Sequence, residues 1–244
     1  MSSPKLIVLV PAAGGSQRFG GPRPKQYMPL AGRTVLECTL WRLRQGLSPD
    51  RIVVVLAPDD QQFASLNDVP FGVEALYCGG VTRAESVRNG LQALAVDAHD
   101  WIAVHDAARP CVPVTCLQSL ESMAHEAAAE ENGALLAVPL TDTLKESVPG
   151  GVVARAGATL DRARLWNAQT PQMFRYDVLC KALAQEGALL CTDESQAIER
   201  YCRLANNRPL PQLLRGSRQN IKLTYAEDLL IAEAILSFQK EPCS

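Results

Sequence analysis

Short, continuous apolar runs alternate along this chain with longer segments that have helical periodicity. Five runs show no alternation with polar residues: 6–10, 51–57, 73–77, 101–105 and 134–139. Runs of this kind are typical of strands buried on both faces, as in mostly parallel sheets covered by helices. The pattern therefore predicts strands at these five places and helices between them.

Start signals for helices support this alternation. Thr34 and Glu37 have the spacing of a capping box, as do Thr82 and Glu85, and Thr224 with Glu227 before the last predicted helix. Strand–helix alternation gives right-handed crossovers, so we expect an α/β fold with a doubly wound, mostly parallel, Rossmann-like sheet. Ligands of such sheets gather at the carboxyl ends of the strands.

Residues 141–165 depart from this alternation of predicted strands and helices. Two short extended pieces, 143–148 and 152–156, flank Pro149-Gly150-Gly151, which predicts a β-hairpin. It has too little apolar content to join the main core. The pattern leaves two interpretations open: an arm that packs against a second copy, or a loose surface hairpin. Residues 1–244 otherwise predict one domain, with 141–165 inserted as the arm.

Composition narrows the classes of function. The chain has 244 residues, 47% of them hydrophobic, and a formal charge of −2. No net basic field exists to attract a nucleic-acid backbone, so we expect no nucleic-acid partner. The eight cysteines have neither Cys-x-x-Cys nor zinc spacing, which favours a reduced compartment. The first apolar run is too short for a signal peptide or a membrane span, so we expect a cytoplasmic protein without a membrane partner.

The first predicted strand leads into a glycine-rich loop over residues 11–21. A dinucleotide fingerprint fails there because Ser16 follows Gly14 and Gly15, and a Walker loop fails because Gly21 replaces the lysine. A loop whose small residues approach an anion closely, and which carries its own cations at Arg18 and Lys25, fits better. An ordinary surface loop is the alternative that the loop alone leaves open.

Five ordered blocks of residues resemble the 2-C-methyl-D-erythritol 4-phosphate cytidylyltransferase family of the non-mevalonate isoprenoid pathway. The resemblance runs from residue 6 to the last predicted helix. The blocks are Pro11-Ala-Ala-Gly14 with Arg18 and Pro24-Lys-Gln-Tyr27, then Gly79-Gly80-x-x-Arg83-x-x-Ser86, His105-Asp-Ala-Ala-Arg-Pro110, Gln169-Thr-Pro-Gln172, and Thr192-Asp193-Glu194 followed by Asn220-Ile-Lys222. Ser16, Val81 and Gln219 depart from the family's usual residues.

The resemblance implies attack of an acceptor phosphate on the α-phosphorus of CTP, with loss of pyrophosphate. A phosphate monoester has a second pKa of about 6 and is already an anion near neutrality, so no general base is needed. We therefore expect His105 to be a packing residue at a strand end. Placed cations and a metal ion would stabilise the transition state. The resemblance implies that Arg18, Lys25 and Lys222 are the catalytic cations and that Asp106 holds Mg²⁺. Taken singly, each cation would more often be a solvated surface charge, and the five matching blocks reverse that expectation.

The same resemblance assigns the binding residues. Those implied for the nucleotide are Ala12, Ala13, Gly14, Gly80, Ser86, Asp106 and Ala107. Those implied for the small polyol phosphate acceptor are Arg162, Thr143, Thr170, Thr192, Asp106 and Arg109. The family's arm crosses to the neighbouring subunit, which implies a homodimer whose active sites are completed by the partner.

Other functions remain to be weighed. Ribitol 5-phosphate cytidylyltransferases share the loop and most of the cations, and composition and spacing cannot separate the two acceptors. A catalytically idle nucleotide-binding module predicts loss of Arg18, Lys25 or Lys222, yet all three are present. A dehydrogenase is disfavoured by the failed dinucleotide fingerprint.

Overall fold

The computed structural model describes residues 3–15, 19, 23–126, 132–148, 153–205 and 209–240. Its strands, in chain order, are β1 (Leu6–Pro11), β2 (Pro29–Leu30), β3 (Arg33–Thr34), β4 (Arg51–Val55), β5 (Val73–Leu76), β6 (Trp101–Val104), β7 (Gly133–Pro139), β8 (Leu144–Val148), β9 (Arg155–Leu160), β10 (Trp166–Arg175) and β11 (Gln212–Arg215). Its α-helices are α1 (Val35–Gly46), α2 (Arg83–Ala93), α3 (Val114–Glu126), α4 (Tyr176–Leu183), α5 (Glu194–Leu204) and α6 (Asp228–Lys240).

Within these residues, seven strands form the central sheet in the order β11-β7-β10-β6-β1-β4-β5. Strand β1 pairs in parallel with β4 and β6, and β7 pairs in parallel with β11. Strand β10 is antiparallel to both of its neighbours, β6 and β7. The predicted mostly parallel α/β sheet is confirmed, and each of the five predicted strands lies in it.

The continuous apolar runs are explained by helices on both faces of the sheet. Val8 and Val10 of β1 pack into one core layer together with residues of α1 and α3. Ile7 and Leu9 point the other way, into a layer that contains residues of α2, α4 and α5. Alternate side chains of a strand point to opposite faces, so a strand covered on both sides is apolar at every position.

Two of the three predicted capping boxes are confirmed. The side chains of Thr34 and Thr82 accept the backbone N–H of Glu37 and Glu85, and each glutamate accepts the N–H of its threonine in return. The predicted box at Thr224 is wrong. Helix α6 begins at Asp228, whose carboxylate accepts the backbone N–H of Thr224 at 2.7 Å, while the Thr224 hydroxyl donates to the Lys222 carbonyl.

The predicted hairpin is present, with its second strand displaced along the chain. Strands β8 and β9 pair antiparallel, Leu144 opposite Leu160 and Val148 opposite Arg155, and they form a sheet of their own. The predicted second piece, 152–156, thus begins too early, and the turn residues 149–152 lie outside the described residues. Most of the hairpin's side chains are exposed.

Sequence patterns missed β10 and β11. Strand β10 contains Gln169, Thr170, Pro171 and Gln172, so it has no continuous apolar run. Gln169, Thr170 and Gln172 are nevertheless buried because they find partners; Gln172, for example, accepts the Ser195 N–H at 2.8 Å. Across the described residues, no helix is long and apolar enough to span a membrane.

Candidate active site

A cavity of about 330 Å³ opens where β1 and β6 end, at the edge of the sheet where ligands of this architecture collect. Most of the residues that the sequence assigned to catalysis or nucleotide binding line it. They are Ala12, Ala13, Gly14, Lys25, Gly80, Ser86, Asp106, Ala107 and Lys222. Arg18 and Ser16 lie outside the described residues.

The first wall of the cavity continues from β1. The Ala12 N–H donates to the Val55 carbonyl at 2.8 Å, which carries the backbone one residue beyond the last strand pair. The buried Gln26 amide then donates to the Ala12 carbonyl at 2.8 Å and to the Gly14 carbonyl at 3.4 Å. Gln26 thereby ties this loop to the segment that carries Lys25.

The second wall is the segment that leads into α2. The Gly80 N–H donates to Oγ of Ser86 at 3.1 Å, and the Ser86 hydroxyl donates to the Thr82 carbonyl at 3.0 Å. The two walls meet at Gly79, where an added Cβ would lie 2.3 Å from Cβ of Ala13. Glycine is therefore required at position 79, because any side chain there would push the walls apart.

Asp106 is the acidic centre of the cavity and is held by three cations. Its Oδ1 accepts from Nε of Arg83 at 2.7 Å, and its Oδ2 lies 2.8 Å from Nζ of Lys222. Nε of Arg109 lies 3.5 Å from the same Oδ2. Burial alone would raise the pKa of Asp106, but the charges of Arg83, Lys222 and Arg109 outweigh burial and hold that pKa well below its usual value. Asp106 is therefore an anion throughout the neutral range.

A buried chain of hydrogen bonds fixes the Asp106 backbone. Its N–H donates to Oγ of Thr170 at 3.0 Å, and the Thr170 hydroxyl lies 3.1 Å from Nδ1 of His105. Nε2 of His105 lies 3.1 Å from the Arg109 carbonyl, which can only accept, so Nε2 carries the ring proton and Nδ1 accepts from Thr170. Burial lowers the pKa of His105 to about 4. His105 is thus a neutral structural residue, as the sequence indicated.

The segment before α6 brings Lys222 and Lys25 to the same cavity. The Leu223 N–H donates to the Ala108 carbonyl at 2.9 Å, and Nζ of Lys25 donates to the Leu223 carbonyl at 2.8 Å. Nη1 of Arg109 donates to the Asn220 carbonyl at 2.6 Å. These bonds hold Lys222 against Asp106, from which it is far removed along the chain.

Arg83 and Glu194 belong to the same cluster, although sequence reasoning gave neither a role. Arg83 lines the cavity, and its two Nη atoms donate to the carboxylate of Glu194 at 2.7 and 3.0 Å. Both residues lie in the blocks that resemble the family, and this resemblance was the sequence signal that could have identified them as site residues. Nothing in a linear sequence shows that the two side chains meet.

The residues implied for acceptor binding fall into two groups. Thr170 and Arg109 contact Asp106 directly. Thr192 is exposed just before α5, and Thr143 and Arg162 are exposed at the base of the hairpin, where Arg162 donates to the Thr141 carbonyl. None of these five residues lines the cavity described within this chain; among the described residues implied for acceptor binding, Asp106 does.

The cavity offers a metal ion few protein ligands. No cluster of three or more His, Cys, Asp or Glu side chains suited to a metal occurs among the residues described. Within the same part of the chain, Asp106 is the one carboxylate that lines the cavity. A single carboxylate fits Mg²⁺, which usually keeps several waters and takes its other ligands from substrate phosphates.

This chain is similar to proteins of one known family over nearly its whole length. The family model for IspD, 2-C-methyl-D-erythritol 4-phosphate cytidylyltransferase, matches residues 6–238. The enzyme of that name from Dechloromonas aromatica is 44% identical over 97% of this chain and 100% of its own length. The one from Laribacter hongkongensis is 46% identical over 95% of this chain and 96% of its own length.

Solved structures give the same result. A 4-diphosphocytidyl-2C-methyl-D-erythritol synthase is 38% identical with a TM-score of 0.79, covering 97% of this chain and 100% of that one. The cytidylyltransferase from Thermus thermophilus is 29% identical with a TM-score of 0.73, covering 96% of this chain and 99% of that one. Sequence and fold agree over nearly the full length. The chain therefore belongs to the 2-C-methyl-D-erythritol 4-phosphate cytidylyltransferase family.

Proposed function

We propose that this chain transfers the cytidylyl group of CTP to 2-C-methyl-D-erythritol 4-phosphate and releases pyrophosphate. The observation that carries the proposal is a cavity lined by Lys25, Lys222, Arg83 and Asp106, in a chain that matches the family over residues 6–238. Members of that family supply the cytidyl diphospho intermediate of isoprenoid biosynthesis.

The reaction forms one bond and breaks one. An oxygen of the acceptor phosphate attacks the α-phosphorus of CTP, and the bond from that phosphorus to the bridging oxygen of the β-phosphate breaks. The acceptor phosphate is a dianion or monoanion near neutrality and needs no base to activate it. This agrees with the low pKa of His105, about 4, and with the paired state of Asp106, since neither group is poised to take a proton.

The difficulty is to bring two anions together and to stabilise the charge that accumulates on the α-phosphate. Lys25 and Lys222 supply positive charge from two different segments. Because Lys222 is held by Asp106 and Lys25 by the Leu223 carbonyl, both ammonium groups are placed before substrate arrives. Preorganised charge of this kind stabilises a transition state without a reorganisation cost. Arg18 is proposed as a third cation on the triphosphate.

The nucleotide end lies between the two walls of the cavity. We assign the base to the narrow space formed by the Ala12–Gly14 backbone on one side and Gly80 and Ser86 on the other. Small residues there allow the backbone to approach the base edge, and a pyrimidine needs less room than a purine. Ala107, next to Asp106, completes the floor near the ribose.

Mg²⁺ is proposed as the metal, held by Asp106 together with the phosphates of CTP. When bound, the ion supplies additional positive charge to the α- and β-phosphates. Asp106 has oxygen lone pairs beyond those used by Arg83 and Lys222. This chain's own part is to keep that carboxylate ionised and correctly oriented, which its three cationic neighbours do.

The acceptor end is proposed to require a second copy of the chain. We infer that residues 1–244 form one nucleotidyltransferase domain and that the arm, 141–165, reaches into the partner's site. Arg162 and Thr143 of the arm would then meet the acceptor beside Thr170, Thr192 and Arg109. Support comes from the position of Arg162 and Thr143, which are exposed and away from this chain's own cavity. Full activity on the acceptor by a monomer isolated by size exclusion would contradict this.

A cytoplasmic location is proposed as well. Among the described residues, the cysteines at positions 38, 78, 111, 116, 180, 191 and 202 are thiols rather than disulfides, which suits a reduced compartment.

The test is pyrophosphate release with CTP and Mg²⁺, with methylerythritol 4-phosphate and ribitol 5-phosphate offered in parallel. We expect turnover with methylerythritol phosphate at a kcat/KM far above that with ribitol phosphate. A preference for ribitol phosphate would contradict the proposed acceptor but would leave the proposed mechanism unchanged. A folded dimer that is inactive with both acceptors would overturn the proposed enzyme activity.

A further inference from the structure

Glu194 is a buried acid next to the cavity to which the proposed reaction assigns no role. It is the first residue of α5, and only 1% of its surface is exposed. Its two carboxylate oxygens accept from the two Nη atoms of Arg83 at 2.7 and 3.0 Å. A bidentate pair of this kind fixes the plane of the guanidinium as well as its position.

The remaining Nε–H of Arg83 then has one direction in which to donate. It points at Oδ1 of Asp106, 2.7 Å away. One planar side chain thus links a carboxylate outside the cavity to the carboxylate at its centre. Arg83 carries its proton firmly: burial alone would lower its pKa, but Glu194 and Asp106 outweigh burial and raise it.

Glu194 is itself held rigidly from β10. Oε1 of Gln172 accepts the Ser195 N–H at 2.8 Å, and the Gln172 amide donates to Asp193 at 2.9 Å. Asp193 also accepts the Gln196 N–H at 2.9 Å and so caps α5. The start of α5 is therefore anchored on both sides of Glu194, and this anchored carboxylate sets where Arg83 lies.

The charges around Asp106 explain why a second acid is needed. Arg83, Arg109 and Lys222 all approach Asp106, whereas Glu194 forms its ion pair with Arg83. Without the negative charge of Glu194, Arg83 would be able to turn both of its donor edges toward Asp106. Asp106 would then be drawn to Arg83 and away from Lys222, which needs it for placement.

We propose that Glu194 is a positioning residue that acts through the Arg83 guanidinium to hold the Asp106 carboxylate in contact with Lys222. The inference rests on the proposed function, because its catalytic effect is an effect on cytidylyl transfer. A purely structural ion pair would stabilise the fold without altering Asp106. The Arg83 Nε contact with Asp106 distinguishes the two roles.

The first variant is Glu194→Gln, which keeps the size of the side chain and removes its charge. We expect kcat to fall by about tenfold or more while KM for CTP changes by less than about threefold, as for loss of an interaction made mainly in the transition state. Glu199→Gln is the matched control, since Glu199 lies on the same helix and accepts from the Ser195 hydroxyl. Its kinetics should match those of the parent.

The second variant, Arg83→Lys, keeps the positive charge but cannot reach both acids through a planar fork. In the double variant Glu194→Gln/Arg83→Lys, the fall in kcat should be far smaller than the two single effects multiplied together, because both substitutions break the same link from Glu194 to Asp106. Restoration of most of the activity by Glu194→Asp, which returns the charge, would support positioning. Fully additive losses, or parental kcat in a folded Glu194→Gln variant, would overturn the proposal. If Glu194→Gln does not fold, Arg83→Lys with parental kcat overturns it equally.

A readout independent of activity separates this inference from the proposed function. Acetylation of individual lysines by the N-hydroxysuccinimide ester of acetic acid is followed by mass spectrometry. Lys222 should react at least about twofold faster in Glu194→Gln, because loss of its ion pair exposes the amine. Lys181, paired with Asp177 on α4, is the internal reference. If the wild-type protein is inactive with both acceptors but Lys222 is acetylated faster in Glu194→Gln, the positioning of Lys222 by Glu194 is supported and the proposed enzyme activity is contradicted. If the acetylation rate of Lys222 is unchanged in Glu194→Gln, the proposed positioning is contradicted.

Discussion

Nζ of Lys222 lies 2.8 Å from Oδ2 of Asp106, although Asp106 follows the central strand β6 and Lys222 precedes the last helix. The contact joins two distant segments of the chain at the cavity. In the proposed reaction, this ammonium group and this carboxylate would contact the triphosphate and a metal ion, respectively. Each charge in this cluster should therefore have a measurable effect on activity or stability.

Lys25→Ala and Lys222→Ala should each lower kcat/KM for CTP by a factor of about a hundred or more, as is common for losing one preorganised charge at a transition state. Lys181→Ala, which removes an exposed partner of Asp177, is the control and should leave kcat/KM unchanged. Steady-state pyrophosphate release measures both. A loss below about threefold for either cavity lysine would contradict its catalytic role.

Asp106→Asn should lower both activity and stability. Asparagine keeps the shape but leaves Arg83, Arg109 and Lys222 without their shared anion at a site that is 6% exposed. We expect the free energy of unfolding to fall by about 3–5 kcal/mol, the usual effect of breaking a buried pair. Urea denaturation measures it. Asp177→Asn breaks an exposed pair and should cost about 1 kcal/mol or less.

His105 should make the folded protein sensitive to mild acid. Burial lowers its pKa from 6.5 to about 4, so between these values the unfolded chain binds a proton that the folded chain does not. The free energy of unfolding therefore rises with pH across this window. It decreases by up to about 3 kcal/mol as the pH falls from about 6.5 toward 4.

The variant His105→Asn isolates this effect, with exposed His99→Asn as its control. Urea denaturation at several values between about pH 4 and pH 7 should give a shallower pH dependence for His105→Asn and the parental slope for His99→Asn. Identical slopes in all three proteins would show that His105 is not the group responsible.

Arg162→Ala tests the arm. If Arg162 meets the acceptor in a partner's site, its loss should raise KM for the polyol phosphate by about tenfold or more, as for one hydrogen bond to a charged group. KM for CTP should stay within about twofold, because the proposed nucleotide site does not include Arg162. Arg155→Ala, also exposed on the arm in β9, is the matched control. An equal rise in both KM values would argue against an acceptor-specific role.

Much of the architecture could be predicted from the sequence because strands that are buried on both faces appear as continuous apolar runs. The runs that became β1, β4 and β6 are nearly all apolar, and each lies in the sheet where the sequence placed it. Strand β10 was not predicted because its buried polar residues interrupt the apolar pattern, and their partners are distant along the chain. The Thr224 box failed because the carboxylate of Asp228, one residue further along, accepts the Thr224 N–H that Glu227 was expected to accept.

The sequence by itself determined the family, the alternation of strands and helices, and nine of the fifteen residues that line the cavity, since ordered motifs and local burial patterns can be read along the chain. Only the tertiary structure decided which charges meet. That Glu194 binds Arg83, that Arg83 and Lys222 share Asp106, and that His105 supports its backbone depend on contacts across the whole fold. Such pairings follow from the packing of strands and helices in three dimensions, which brings together side chains that lie far apart along the chain.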